Sequence, residues 1–340
     1  MQLDVHRFAP VCSEEILRGL SDAELFALAD SVGGVLGQPI VKDSDRGRAI
    51  ERRLAGELTE TYVADLLEVA DRELEVLPAS NVDPGQVNLV LAAIALELPD
   101  PKERFAGMLV EALEPLTLLA RRSIRSLLRE RGRNVRTVSA SLTLADQSAV
   151  EILSEQQTWW IGDFFSNHLS RRITATVSHE AVTRGLGRVD VGRILHGIVE
   201  GTASGVSVPK TYRGDAGSYF EMLAGTVRNR ASSFGSLRTM SDAEIERYRF
   251  EAVMDERTSE QCSQLHDRLF TVESGIALTD RVLGARGPEE VKEVCGWRTA
   301  EEIRQVIGGG DLASQTRSLT SAGLIVPPLH ARCRSVLVPE

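Results

Sequence analysis

From Ser13 to about Ala203, apolar residues recur at helical spacing almost throughout. Ile50, Leu54, Leu58, Tyr62, Leu66 and Val69 follow at intervals of three and four, which places them on one face of a helix. Capping chemistry divides the pattern. Asp43-Ser44-Asp45 opens a helix ending near Pro78, Asp83-Pro84 opens one up to Pro99, and Asp100-Pro101 opens a third running to Gly132. Residues 133–142, rich in β-branched and hydroxyl side chains, read as a connector and a domain joint. Helices are expected again over 144–183, 190–200 and 216–234, with Gly185, Gly187, Gly201 and Gly205 marking turns.

Around Glu246 the period falls to two: Tyr248, Phe250, Ala252 and Met254 alternate with Arg249, Glu251 and Val253 in the manner of a strand. Residues 269–272 and 335–338 are further strand candidates, able to pair with it into a small antiparallel sheet. Between them, 288–307 reads as a helix stopped by Gly308-Gly309-Gly310. The fold class is therefore α+β, with a predominantly α-helical N-terminal region and a small C-terminal mixed module containing a short antiparallel sheet. Three divisions follow: 1–140 helical, 141–245 helical and leading into the module, and 246–340 the module itself, with an inserted helical segment at about 273–324.

Candidate chemistry concentrates in that module. Cys262 and His266 sit one helical turn apart after the caps Asp255 and Ser259, and His330 and Cys333 follow the double proline Pro327-Pro328. Four soft ligands, Cys262, His266, His330 and Cys333, suit tetrahedral Zn²⁺ if the two halves meet. Two other readings stand beside this. One is a metal-free hydrogen-bonded core in which Asp255 accepts from Arg257, Thr258 or Arg334, and the other is a Cys262–Cys333 disulfide.

An extended segment running into Asp255-Glu256-Arg257-Thr258-Ser259 and Cys262, answered by Pro327-Pro328-Leu329-His330-Ala331-Arg332-Cys333-Arg334, resembles the phage head morphogenesis or minor capsid family of the phage Mu F type. The likeness runs from about residue 246 to 340 and, more weakly, over 173–231. Ser259 stands where the family often has the first cysteine of C-x-x-C, Ser335 where C-R-C has its last, and the segment between the halves is long. The resemblance implies a non-enzymatic minor head protein made in a bacterial cytoplasm and carried in the virion. Its implied site is the capsid interior or portal vertex, with portal, capsid or scaffolding protein as partners.

A formal net charge of -10 over 340 residues makes any contact with packaged DNA local. Arg121, Arg122, Arg125, Arg129, Arg131, Arg133 and Arg136 supply one candidate; on a helix, positions 121, 125, 129 and 133, with 122 and 136 nearby, form one basic stripe compatible with packaged DNA or an acidic face of the portal, and equally with a solvated face balanced by glutamates elsewhere. Trp159, Trp160, Phe164 and Phe165 cannot share one helix face, so they line two sides of a central helix or meet a partner. Four scattered cysteines fit a reducing compartment; Cys12 and Cys295 read as buried thiols, and His6, His168, His179 and His196 as ordinary residues. Neither a signal peptide nor a membrane span is expected.

No H-E-x-x-H, G-x-S-x-G or P-loop pattern occurs, which argues against an enzyme, as does the closed shell that four protein ligands would make. A zinc-dependent hydrolase or nuclease in the module is the alternative. An effector carrier is disfavoured, because only seven residues follow Cys333 and no active-site motif precedes the module.

Overall fold

The computed structural model describes residues 45–139, 141–184, 186–201, 215–295 and 297–340. The helical pattern before Asp45 with its Asp43-Ser44 cap, and His6, Cys12, Gly185 and Gly205, lie outside those residues. Helix α1 (Asp45–Leu74) buries Leu54, Leu58, Tyr62, Leu66 and Val69 along the face their spacing marks. Helices α2 (Pro84–Glu97) and α3 (Pro101–Glu130) begin at the expected caps. Asp83 accepts from the Gly85 N–H at 2.7 Å while Gln86 accepts from the Asp83 N–H at 3.0 Å, and Asp100 accepts from the Lys102 N–H at 2.7 Å. Each cap satisfies a donor that the first helical turn leaves open.

Helix α4 (Leu144–Phe164) continues through a π-helical turn (Phe165–Leu169) into α5 (Ser170–Arg184). The wider turn lets Phe164 and Phe165, adjacent in sequence, both be only 1% exposed. Trp159 and Trp160 are half-buried, and Trp160 stacks on Trp297 with ring centroids 5.8 Å apart. The aromatic run thus packs on more than one side of its helix. After α6 (Arg188–Val199), α7 (Ala216–Asp242) runs eight residues beyond the 216–234 that periodicity marks. Its buried residues lie all round the helix, because it packs against both α1 and α3. At Gly235 an added Cβ would stand 2.7 Å from the Thr117 carbonyl oxygen of α3, so glycine permits this close approach of two backbones.

Two large apolar cores result. The first joins α1 through the first half of α7, from Leu54 to Ala231, and draws on both sides of 133–142, so that connector does not separate two cores. The second gathers Ile124 and Leu128 at the end of α3, Val135 and Val138 of the connector, Leu237 and Met240 at the end of α7, and the module from Ile245 to Leu337. The long helices α3 and α7 therefore carry the module on their C-terminal ends.

In the module, β1 (Arg247–Glu251) is the central strand of an antiparallel sheet, with β2 (Arg268–Thr271) on one side and β3 (Val336–Pro339) on the other. Tyr248 lies opposite Phe270 and Pro339, and Phe250 opposite Arg268 and Leu337. Tyr248 and Phe250 are fully buried, as alternation requires of a half-buried strand. The short helix α8 (Glu260–Leu265) joins β1 to β2, and the insertion before β3 holds α9 (Val272–Leu283), α10 (Pro288–Val294), α11 (Ala300–Ile307) and α12 (Leu312–Ser321). The single helix expected over 288–307 is instead two. Thr299 and Glu302 form a capping box that starts α11 afresh, and Gly308, with φ of 56°, ends it. Among the described residues, no helix is long and apolar enough to cross a membrane.

Candidate metal centre

The first half of the site is built by one turn and one short helix. Asp255 accepts from the Arg257 N–H at 2.9 Å, and the Thr258 hydroxyl accepts from the Asp255 N–H at 2.7 Å while donating to the Val253 carbonyl. This closed turn sets Ser259 as the cap of α8, where its hydroxyl accepts from the Cys262 N–H at 3.2 Å. Cys262 consequently sits at the third helical position and is buried in the second core.

The second half is the return segment before β3. Residues 324–329 are buried throughout, and the Tyr248 hydroxyl donates to the Ile325 carbonyl at 2.9 Å, tying the segment to the central strand. A cis peptide joins Pro327 and Pro328, after which a turn brings the Cys333 N–H to 3.2 Å from the His330 carbonyl. From α7, the Asn229 amide donates to the carbonyls of Cys333 at 2.8 Å and Ser335 at 3.4 Å. The segment is thereby held from both sides.

The halves meet at two points. Arg334 donates to both Asp255 oxygens, at 2.7 and 2.5 Å, a bidentate fork. That guanidinium, foremost, holds the Asp255 carboxyl well below the usual carboxylate range. A few residues away, Cys262 Sγ lies 3.2 Å from His330 Nε2 and 3.6 Å from Cys333 Sγ. Ligand atoms of Cys262, His330 and Cys333 all fall within 4.8 Å of one another, a group able to hold a metal ion. His330 Nδ1 is 2.6 Å from the Ala331 carbonyl, to which it donates; this fixes the ring so that Nε2 faces the sulfurs.

Electrostatics favours one thiolate. The hydrogen bond from Cys333 is the foremost cause holding Cys262 down to about 4; burial opposes it, and His330, Ser259 and Ser335 add to it. The same bond and burial push Cys333 well up, so the pair holds one proton between the sulfurs. Burial acts to lower His330, but its hydrogen bond to Cys262 and the charge there outweigh this and raise it. The result is a thiolate facing an imidazole, the soft donor set that a metal ion replaces protons on.

His266 does not join the group, contrary to its place in the four-ligand set. The helix ends at Leu265, and as C-cap His266 has φ of -54° and ψ of 136°, so the one-turn spacing from Cys262 no longer puts both side chains on one face. Its Nδ1 instead accepts from the Ala252 N–H at 3.3 Å. The arginine stripe is also corrected at its first member. Arg121 is 1% exposed and pairs with Asp146 at 3.1 Å and Asp242 at 2.6 Å, so it cannot meet phosphates. Arg122 and Arg129 are exposed and Arg125 is half-buried, but α3 ends at Glu130 and Arg133 leaves the stripe.

Sequence reasoning missed Ser259 and Ser335 as neighbours of the cluster. The Ser259 hydroxyl lies 2.7 Å from His330 Nε2, and Ser335 reaches Cys262. No protein-family model matches the chain, and no curated protein and no solved structure matches it either. With three protein ligands, one position of a tetrahedral ion is left to a water or to a neighbouring hydroxyl.

Proposed function

We propose that the chain is a minor head protein of a phage or phage-like particle, a non-enzymatic component of the capsid interior or portal vertex. The observation that carries this reading is the meeting of the two motif halves, through the Asp255–Arg334 fork and the Cys262–His330–Cys333 group, across the long segment that separates them. In this reading the module is a docking knob on a helical stalk. Portal, capsid or scaffolding protein is its partner, and the helices aid head assembly or DNA delivery. It is assembled in the bacterial cytoplasm and stays with the virion. Sedimentation of purified particles tests it: the chain should co-purify at a copy number matched to the portal, and its recovery only as free protein would overturn the assignment.

We further propose that the ion is zinc. Zn–S and Zn–N bonds of about 2.3 and 2.0 Å at a tetrahedral angle put two sulfurs about 3.8 Å apart and sulfur and nitrogen about 3.5 Å apart. The observed 3.6 and 3.2 Å need only small outward adjustment. Cys262 and Cys333 are buried at 4% and 3% exposure, which suits an ion that ties chain segments together.

The three-ligand count supports a second reading, a zinc-dependent hydrolase or nuclease, because an open coordination position is what such a reaction needs. Incubation of the protein with DNA and divalent metal decides between them. Turnover that His330→Ala abolishes would favour the enzyme, and its absence in metal-loaded protein the structural role.

A further inference from the structure

One buried charge outside the cysteine–histidine group has no counter-charge among the described residues. Arg230 of α7 is 6% exposed, and among the described residues all three of its guanidinium nitrogens are buried with no oxygen partner, the Cys295 thiol being the polar group beside them. Its side chain lines a cavity of ≈ 40 Å³ together with Ser233, Leu278, Thr279, Cys295 and Pro327. None of the residues lining that space is an Asp or Glu. Arginine does not shed its proton in a protein, so burial leaves a full positive charge facing an apolar wall. A desolvated charge of that kind is tolerated when it is paired.

The neighbours do not supply the missing charge. Burial pushes the Cys295 thiol up and outweighs both the charge of Arg230 and its hydrogen bond to the sulfur, so the thiol stays neutral and offers Arg230 a weak acceptor but no counter-charge. The other charge acting on that thiol is Arg281, a second cation. Thr279 already donates its hydroxyl proton to the Ile276 carbonyl at 2.8 Å. About three water-sized spheres fit the space, which also admits one small ion.

We propose that this cavity binds a small planar monoanion, a carboxylate of formate or acetate size, in the fork of the Arg230 guanidinium. Two parallel N–H···O bonds satisfy the planar head, and the leucine and proline walls exclude larger or doubly charged ions. The position gives binding a consequence. Pro327 leads directly to His330, and Asn229, next to Arg230, holds the Cys333 and Ser335 carbonyls. An anion here fastens the return segment to α7 beneath the metal centre. This inference is independent of the virion reading.

The experiment is thermal unfolding of the reduced full-length chain at constant ionic strength, with sodium gluconate, whose anion is too bulky, replaced stepwise by sodium formate or acetate. A saturable rise of about 3 °C or more is expected at roughly one hundred times the dissociation constant. Arg230→Met should abolish the rise, while Arg238→Met, on the same helix, should keep it. A flat wild-type response would mean the cavity holds only water and would overturn the proposal, as would an undiminished response in Arg230→Met. If Arg230→Met does not fold, line broadening of ¹³C-formate with the wild-type chain decides: saturable broadening relieved by nitrate supports the site, and none rejects it.

Discussion

The helical N-terminal core and the C-terminal module are stabilised by different chemistry. In the first, thirty-nine buried apolar residues among those described, from α1 to α7, interlock, and rings such as Tyr62, Phe164 and Phe220 meet at 5.2 to 5.7 Å. Its stability comes from area removed from water, so it depends little on pH, metal or redox state. The module has a three-stranded sheet and short helices, and its two motif halves are separated in sequence by the whole insertion. What joins them is a charge-assisted fork and a soft-ligand group, both sensitive to solution conditions. The molecule thus combines an apolar helical core with a module whose halves are joined conditionally.

The largest effect expected is where the two regions adjoin. Arg121→Ala strips the partner from Asp146, which is fully buried, and should cost about 3–5 kcal/mol in urea unfolding. That loss should be the same with and without chelator, since no metal is involved. If it varied with chelator, the regions would not be separable in this way.

Next comes Ser259→Ala, which removes the α8 cap and the hydroxyl beside His330 together. The cap is worth about 1 kcal/mol. Loss of the polar neighbour should also weaken zinc affinity by about 10-fold or more in a competition titration. Unchanged affinity would mean the serine merely caps.

Asp255→Asn sharpens the comparison through pH. The folded-state carboxyl is depressed, so its stabilisation is present above its unfolded value and is lost as pH falls toward the folded one. In metal-free protein, the gap between wild-type and variant denaturation midpoints should hold from pH 7 to 5, begin to shrink below about pH 4 and narrow progressively as the pH falls further toward the depressed folded value. A gap that persisted in acid would remove the fork from the account. The smallest effect belongs to Arg122→Gln with Arg129→Gln: exposed positions, a change within about 0.5 kcal/mol, and a lower salt-dependent DNA affinity only if that face meets phosphate.

The same division explains what could be read from sequence. Helices α1 to α3 were legible because spacing, aspartate caps and proline act locally, within one or two turns. The three strands were legible from alternation and from their relation to the motif, two of them to within a residue, while β1 ends at Glu251, three residues short of Met254. Cys262, His330 and Cys333 came together as their spacing and flanking prolines implied. His266 did not, because helical spacing holds only while the helix lasts, and α8 stops one residue too soon. Arg121 was misread for a related reason: periodicity gives a face but not what lies opposite it, here Asp146 and Asp242 from distant segments. Arg230, too, lies in a helix whose nearly complete burial depends on tertiary packing alone.

The central claim, a metal clasp made by three residues from two distant segments, is tested most directly by zinc content per chain after purification under reducing conditions. One zinc per chain is expected in the wild type and in His266→Ala, and none in His330→Ala, with a lower melting temperature on its loss. A metal-free wild-type chain that unfolds at the same temperature with and without added zinc would contradict it.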